Sequence, residues 1–264
     1  MAIMKINFSS KMLMRMVEFN LILPNDLPEW MTVGNKYYDR EIKTLYLLHG
    51  FGGNCNDWLY GSLVQELSIK YNLAIVMPSG ENSFYLDGKG TGKLYGEFIG
   101  RELVEYIRRV FRLSDKRENT FIGGLSMGGF GAIRSALKYN DTFGKAFGLS
   151  SALIVNEIKN QRQGFKNEVA DYDYFSSIFG DLSKVEESEN NPEYLIKKLK
   201  SKNRQLPAIF MVCGTEDFLL EKNREFYKFL SKEDVKVNYE ESEGTHDWKF
   251  WNGYFEKAIC WLLD

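Results

Sequence analysis

One stretch constrains this chain more than any other: Gly123-Gly124-Leu125-Ser126-Met127-Gly128-Gly129, which stands between an apolar strand and an apolar helix. Thr120 to Gly124 reads as a strand and Met127 to Tyr139 as a helix opened by small residues. A G-x-S-x-G sequence at such a junction is a sharp strand-to-helix turn that lifts the serine hydroxyl clear of the sheet edge. Glycines flank the serine because side chains two positions away would collide with the adjoining strand and helix. An ordinary tight turn needs no serine between two glycines. It also predicts no acid and no histidine later in the chain.

The rest of the pattern supplies a frame for that turn. Thr44 to Leu48 (TLYLL) is a short buried strand that ends in a glycine loop, His49-Gly50-Phe51-Gly52-Gly53. Leu73 to Met77 repeats the design and stops at Pro78-Ser79-Gly80. Leu63 to Tyr71 can form a helix between them. From Lys93 to Arg112, Tyr95, Ile99, Leu103, Tyr106, Ile107 and Val110 recur at steps of three and four, which predicts a helix with one apolar face. Further strands are expected at Lys145 to Ser150, Pro207 to Cys213 and Val235 to Tyr239, with helices at Phe218 to Leu230 and Asp247 to Leu263. Strands separated by helices imply a mostly parallel sheet covered on both faces, with reactive loops at the carboxyl ends of the strands. The first residues alternate in period two around Val17, Phe19, Leu21 and Leu23, so they are expected as antiparallel edge strands.

At 264 residues, one α/β domain spanning 1–264 is expected. The stretch at about 153–205 is charge-rich and less regular and reads as a cap-like insertion, with Asn191-Pro192-Glu193 as a helix start within it. Thirty-four basic against 36 acidic residues leave a formal net charge of -2, which gives no electrostatic reason to expect nucleic acid or an anionic membrane. No stretch approaches the ~20 apolar residues of a membrane helix, and the N-terminus lacks the pattern of a signal peptide. Cys55, Cys213 and Cys260 are an odd set without paired spacing, so neither a disulfide framework nor a zinc site is suggested, and a reduced, cytoplasmic setting is expected. The expected partner is a small molecule, and the chain is compatible with a monomer or a homo-oligomer.

A serine nucleophile needs a base, an orienting acid and oxyanion donors. The chain has only His49 and His246, and only His246 follows Ser126, so His246 is the candidate base. Among Asp141, Asp171, Asp173, Asp181, Asp217 and Asp234, only Asp217 closely follows a strongly apolar strand; the adjacent Glu216 is the fallback. The acid would hold His246 through Nδ1 and stabilise the imidazolium. Oxyanion donors are expected from the backbone N–H of Met127 and of Phe51, with Gly52 as the alternative; each such donor is typically worth ~3 kcal/mol. His49 is then a buried structural residue that supports the glycine loop. Trp58, Tyr85, Trp248 and Trp251 lie in or near the expected site loops and are candidates to line an apolar pocket.

Taken in order, LYLLHGFGGNCNDW, MPSGENSFYLDG, FIGGLSMGGFGAIRSAL, CGTEDFLLEKN and EGTHDWKFW resemble the esterase D-like branch of the α/β-hydrolases, nearly end to end. That branch includes S-formylglutathione hydrolases, tributyrin-type acetyl esterases and feruloyl esterases. The opening segment and the HGFGGN loop are most similar to the bacterial tributyrin or acetyl esterase group. The resemblance implies an α/β-hydrolase fold and hydrolysis of short-chain acyl or feruloyl-type esters without metal or organic cofactor. It assigns Ser126, Asp217 and His246 to a triad, and Phe51 and Met127 to the oxyanion hole. S-formylglutathione hydrolases usually carry an HGLTC-type loop; HGFGGN departs from it, with Cys55 displaced, so a glutathione thioester is the secondary expectation. Acyl transfer is a rival reaction on the same fold, and a noncatalytic binding protein is the rival class.

Overall fold

In the computed structural model, which describes residues 1–264, the alternating N-terminal segment forms strands β1 (Ala2–Ser10) and β2 (Arg15–Leu23), paired antiparallel with Ala2 opposite Leu23. β2 pairs antiparallel with β4 (Leu73–Pro78), which lies beside β3 (Lys43–Leu48). From β3 onward every pairing is parallel, through β5 (Thr120–Leu125), β6 (Lys145–Leu149), β7 (Ala208–Gly214) and β8 (Val237–Ser242). The sheet has eight strands in the order β1-β2-β4-β3-β5-β6-β7-β8.

The chain leaves β3 toward β4 on one side and later returns to β5 on the other. The strand order therefore reverses at β3, and crevices at the carboxyl ends of parallel strands form at such a switch point. In register, Leu48 lies opposite Gly124, so the glycine loop after β3 emerges beside the serine turn after β5.

Helices cover both faces. Between β2 and β3 runs the short α1 (Glu29–Thr32), followed by α2 (Asp57–Gly61) and α3 (Val64–Tyr71) ahead of β4. Next come α4 (Tyr95–Glu97), α5 (Leu103–Phe111) and α6 (Met127–Lys138). The segment between β6 and β7 holds α7 (Val155–Ile158), α8 (Tyr172–Phe179) and α9 (Pro192–Ser201), and the chain closes with α10 (Leu220–Lys232) and α11 (Trp248–Leu263). Leu45 and Leu47 of β3 face a core shared with α3 and α11, while Tyr46 and Leu48 face the opposite core, shared with α5, α6 and α10. Burial on both sides is why these strands are continuously apolar rather than alternating.

Three expectations are corrected in detail. The helix expected over Lys93 to Arg112 is not one α-helix: a π-helical turn at Phe98–Glu102 separates α4 from α5. Tyr95, Ile99, Leu103 and Ile107 are nevertheless all buried, because apolar spacing reports the buried face and not the hydrogen-bond ladder. Val110, expected on that face, is 48% exposed, because in the last turn it is the next residue, Phe111, that packs against the core. The last strand runs on to Ser242, beyond the expected Tyr239: its last three residues, Glu240 to Ser242, are polar and half-buried and are held in the edge strand by backbone pairing with β7. The Asn191 cap forms as expected, with its Oδ1 accepting from Glu193 N at 3.0 Å. No helix is long and apolar enough to cross a membrane.

Candidate active site

Ser126 sits between β5 and α6 with φ 54° and ψ −121°, a conformation that non-glycine residues adopt only where the surroundings enforce it. Here the surroundings do so on both sides of the residue. Its N–H donates to Leu149 O at 2.9 Å, and its carbonyl accepts from Phe130 N at 3.1 Å and Ala152 N at 3.0 Å. The flanking glycines are required by contact. A Cβ on Gly128 would stand 2.3 Å from Leu48 O, and one on Gly124 would stand 2.5 Å from the carbonyl carbon of Gly128.

Asp217 follows β7 in a tight turn, and its carboxylate is fully buried. Its Oδ2 accepts from His246 Nδ1 at 2.9 Å and its Oδ1 from Leu219 N at 2.8 Å. Burial pushes the Asp217 carboxyl upward, but the bonds from His246 and Leu219 outweigh it and leave the group below the ordinary carboxylate value. Glu216, the alternative acid, is exposed. Its backbone N–H is used on Gly244 O at 3.0 Å. The His246 ring is wedged edge-on against Trp251 and packs on Phe218, with centroids 5.0 and 4.6 Å away. Ser126 and His246 border one cavity, although no hydrogen bond joins them; such bonds are often completed only when substrate excludes water.

Among the oxyanion candidates, the Gly52 N–H is already engaged, donating to Asn82 Oδ1 at 2.7 Å, whereas Phe51 N–H has no partner. Met127, as the first residue of α6, has an N–H without an intrahelical acceptor. Met127 follows Ser126 in sequence, and the loop after β3 approaches it in space: a Cβ on Gly50, the residue before Phe51, would come 3.5 Å from Ser126 Cβ. His49 is 1% exposed and does not line the cavity that Ser126 and His246 border. Its Nδ1 lies 2.7 Å from Gly50 O and its Nε2 accepts from Gly80 N at 2.8 Å, so the neutral Nδ1–H tautomer joins the loops after β3 and β4. Burial holds its pKa below the ordinary imidazole value.

The cavity measures about 570 Å³ and is walled mainly by apolar residues, including Phe51, Phe84, Ile154, Phe175 and Phe218. One side is polar: Glu157 accepts from Asn167 Nδ2 at 2.7 Å and pairs with Lys222 Nζ at 2.9 Å.

The four aromatic residues expected in this wall lie elsewhere, which corrects that expectation. Trp58 is 1% exposed in the core, with Nε1 donating to Leu48 O at 2.9 Å, and Trp248 packs edge-on against it. Tyr85 is fully buried, its hydroxyl donating to His49 O at 2.9 Å. Trp251 stands behind His246 and donates Nε1 to Ser150 Oγ at 3.1 Å. Loop position located these residues near the site, but their large apolar rings went to the core beneath it. Phe218 could have been found from its place directly after Asp217, and Asn82 and Phe84 from MPSGENSFYLDG. Ala152 and Ile154 carry no signal in the sequence. Cys55 is 2% exposed and absent from the cavity, with its thiol pushed up by burial.

Comparison with known proteins gives this arrangement its relatives. The family model described as "Putative esterase" matches residues 10–262. An acetyl esterase of Caldicellulosiruptor saccharolyticus is 48% identical over 263 residues, covering 99% of this chain and 98% of that one. Among solved structures, the substrate-bound fluorophosphonate-binding serine hydrolase F of Staphylococcus aureus superposes with a TM-score of 0.84 at 29% identity, covering 100% and 98% of the two chains. The S-formylglutathione hydrolase of the same organism gives 0.82 at 28%, covering 100% and 99%. The fold is that of the α/β-hydrolases.

Proposed function

The chain belongs to the esterase family and is a carboxylic ester hydrolase, and from that premise we propose that it cleaves short-chain acyl esters through an acyl-enzyme on Ser126. The observation that carries the reading is the buried Asp217 carboxylate bonded to His246 Nδ1 at 2.9 Å, with the ring reaching the cavity that also holds Ser126. Nδ1–H bonded to Asp217 leaves Nε2 as the basic nitrogen, the tautomer a serine hydroxyl needs.

In the cycle, His246 Nε2 takes the proton as Ser126 Oγ attacks the carbonyl carbon, and negative charge grows on the carbonyl oxygen. Phe51 N–H and Met127 N–H stabilise that charge. The imidazolium then protonates the leaving alcohol, and water hydrolyses the acyl-enzyme by the same route. An acetyl group fills a small part of a 570 Å³ cavity, so the remainder accommodates the alcohol. The 48% identity to an acetyl esterase supports acetyl as the acyl group. A feruloyl-type acyl group is a second reading, favoured by Phe51, Phe84, Phe175 and Phe218 around the cavity.

The test is kcat/KM across p-nitrophenyl acetate, acetylated xylo-oligosaccharides, methyl ferulate and formyl-glutathione, with Ser126→Ala as control. Acetyl esters are expected to rank first, and Ser126→Ala to lose at least ~10³-fold in kcat. A fully active Ser126→Ala protein would overturn the mechanism.

A further inference from the structure

The loop that follows β4 grips the loop that follows β3 at four points, the outermost being Ser79 Oγ, which accepts from Cys55 N at 3.2 Å. Gly80 N donates to His49 Nε2 at 2.8 Å, Tyr85 O–H donates to His49 O at 2.9 Å, and Asn82 Oδ1 accepts from Gly52 N at 2.7 Å. Three residues of the gripping loop, Glu81, Phe84 and Tyr85, have φ of 48°, 50° and 55°. Such backbone persists only where its surroundings over-determine it, and it concentrates where a shape is needed for function.

What it grips is a turn. Gly53 N donates to Gly50 O at 3.2 Å, and Gly52 has φ 77°. That is the value a type II turn requires at its third residue. Types I and II differ by a flip of the central peptide, here the bond from Phe51 to Gly52, whose N–H is the one Asn82 holds. The Phe51 ring is weakly anchored: Phe51 is 39% exposed, lies tilted to Phe84 at 6.5 Å and meets Tyr174 edge-on at 5.9 Å between centroids.

We infer that Asn82 is a positioning residue for the oxyanion hole. By holding Gly52 N–H it selects one orientation of the Phe51–Gly52 peptide and so fixes the shape of the turn that presents the free Phe51 N–H, carried on the preceding peptide, beside Ser126. The Asn82 carbonyl in turn accepts from the Tyr174 hydroxyl on α8, so the segment between β6 and β7 is tied to the same setting. A preorganised donor acts on the oxyanion without reorganising during the reaction. This inference rests on the Ser126 acyl-enzyme reading.

The test compares Asn82→Ala, Asn82→Asp and Tyr174→Phe with the unmodified enzyme on p-nitrophenyl acetate, alongside inhibition by a trifluoromethyl ketone that mimics the tetrahedral adduct. For Asn82→Ala, kcat is expected to fall about tenfold with KM within about twofold, and the inhibition constant to rise by the same factor as kcat falls. Asn82→Asp keeps an acceptor for Gly52 N–H and is expected to recover at least half of the loss on a logarithmic scale. A kcat within about twofold of the unmodified enzyme, a loss confined to KM, or a fall in kcat with no change in inhibitor binding overturns the inference. Should Asn82→Ala not fold, Tyr174→Phe decides: a parallel change of about two- to threefold in kcat and inhibitor binding supports the coupling, and unchanged values overturn it. Ser126→Ala separates the two readings. If it is fully active, the acyl-enzyme reading fails; if it is inactive while Asn82→Ala is fully active, only the role of Asn82 fails.

Discussion

Asp217 and Glu216 are neighbours in sequence and opposites in environment. One carboxylate is buried against His246 and Leu219 N–H, and the other stands in solvent. Asp217→Asn is therefore expected to lower kcat by about 10⁴-fold through the wrong imidazole tautomer. Glu216→Gln should leave kcat/KM within about twofold, since an exposed carboxylate contributes little. Steady-state kinetics on one acetyl ester checks both. The depressed Asp217 pKa has a sign. Its ionised form is favoured by the fold, so the stability it contributes is present above the ordinary value of 3.8 and is lost as pH falls through the folded value. Urea midpoints measured downward from pH 5 should fall more steeply for the unmodified enzyme than for Asp217→Asn.

At the scale of elements, α2 and α11 meet through Trp58, whose ring packs on Phe255 at 4.7 Å while its Nε1–H satisfies the last carbonyl of β3. Trp58→Ala removes a buried aromatic and its hydrogen bond to Leu48 O, which is expected to cost about 3–5 kcal/mol. Thermal unfolding should then shift down by on the order of 10 °C. If Trp58 bordered substrate instead, KM would change with little change in Tm. The segment between β6 and β7 reaches the cavity through a different device. Glu157 on α7 joins Asn167 to Lys222 of α10 with side chains about one-third exposed. A pair this exposed is worth about 0.2–1 kcal/mol. Glu157→Ala should accordingly raise KM for esters of bulky alcohols by no more than about fivefold, with p-nitrophenyl acetate unchanged, in a comparison of the two substrate classes.

For the molecule as a whole, Glu189 pairs with Lys138 of α6 and Lys198 of α9 and so fastens the segment between β6 and β7 to the main sheet's helices. Burial pushes its carboxyl up, yet the two ammonium groups prevail and hold its pKa at about 2, against an ordinary 4.5. The carboxylate is thus favoured in the fold, and its contribution is complete above pH 4.5 and disappears as pH falls toward about 2. Glu189→Gln should flatten acid destabilisation across that window in pH-dependent urea unfolding, and by a modest amount, because the group is partly open to solvent.

How much of this was legible follows from what each signal encodes. Apolar runs, glycine loops and the order of serine, acid and histidine are local, so the alternating strands and helices, the turn at Ser126 and the candidates His246 and Asp217 could be read along the chain. Residue choice at Glu216 against Asp217, or at Phe51 against Gly52, was narrowed but not closed, since both members of each pair share the same local context. Tertiary contacts separated them: one carboxylate is enclosed beside an imidazole, and one N–H is occupied by Asn82, which arrives from another loop. The cavity wall was least legible, because an aromatic residue has the same sequence signature whether it faces substrate or core. The fold gave Trp58, Tyr85, Trp248 and Trp251 to support, and Phe51, Phe84, Phe175 and Phe218 to the cavity. Sequence determined which chemistry the chain carries because that depends on residue type and order; only the tertiary structure decided which atoms face one another, because that depends on packing between segments far apart in the chain.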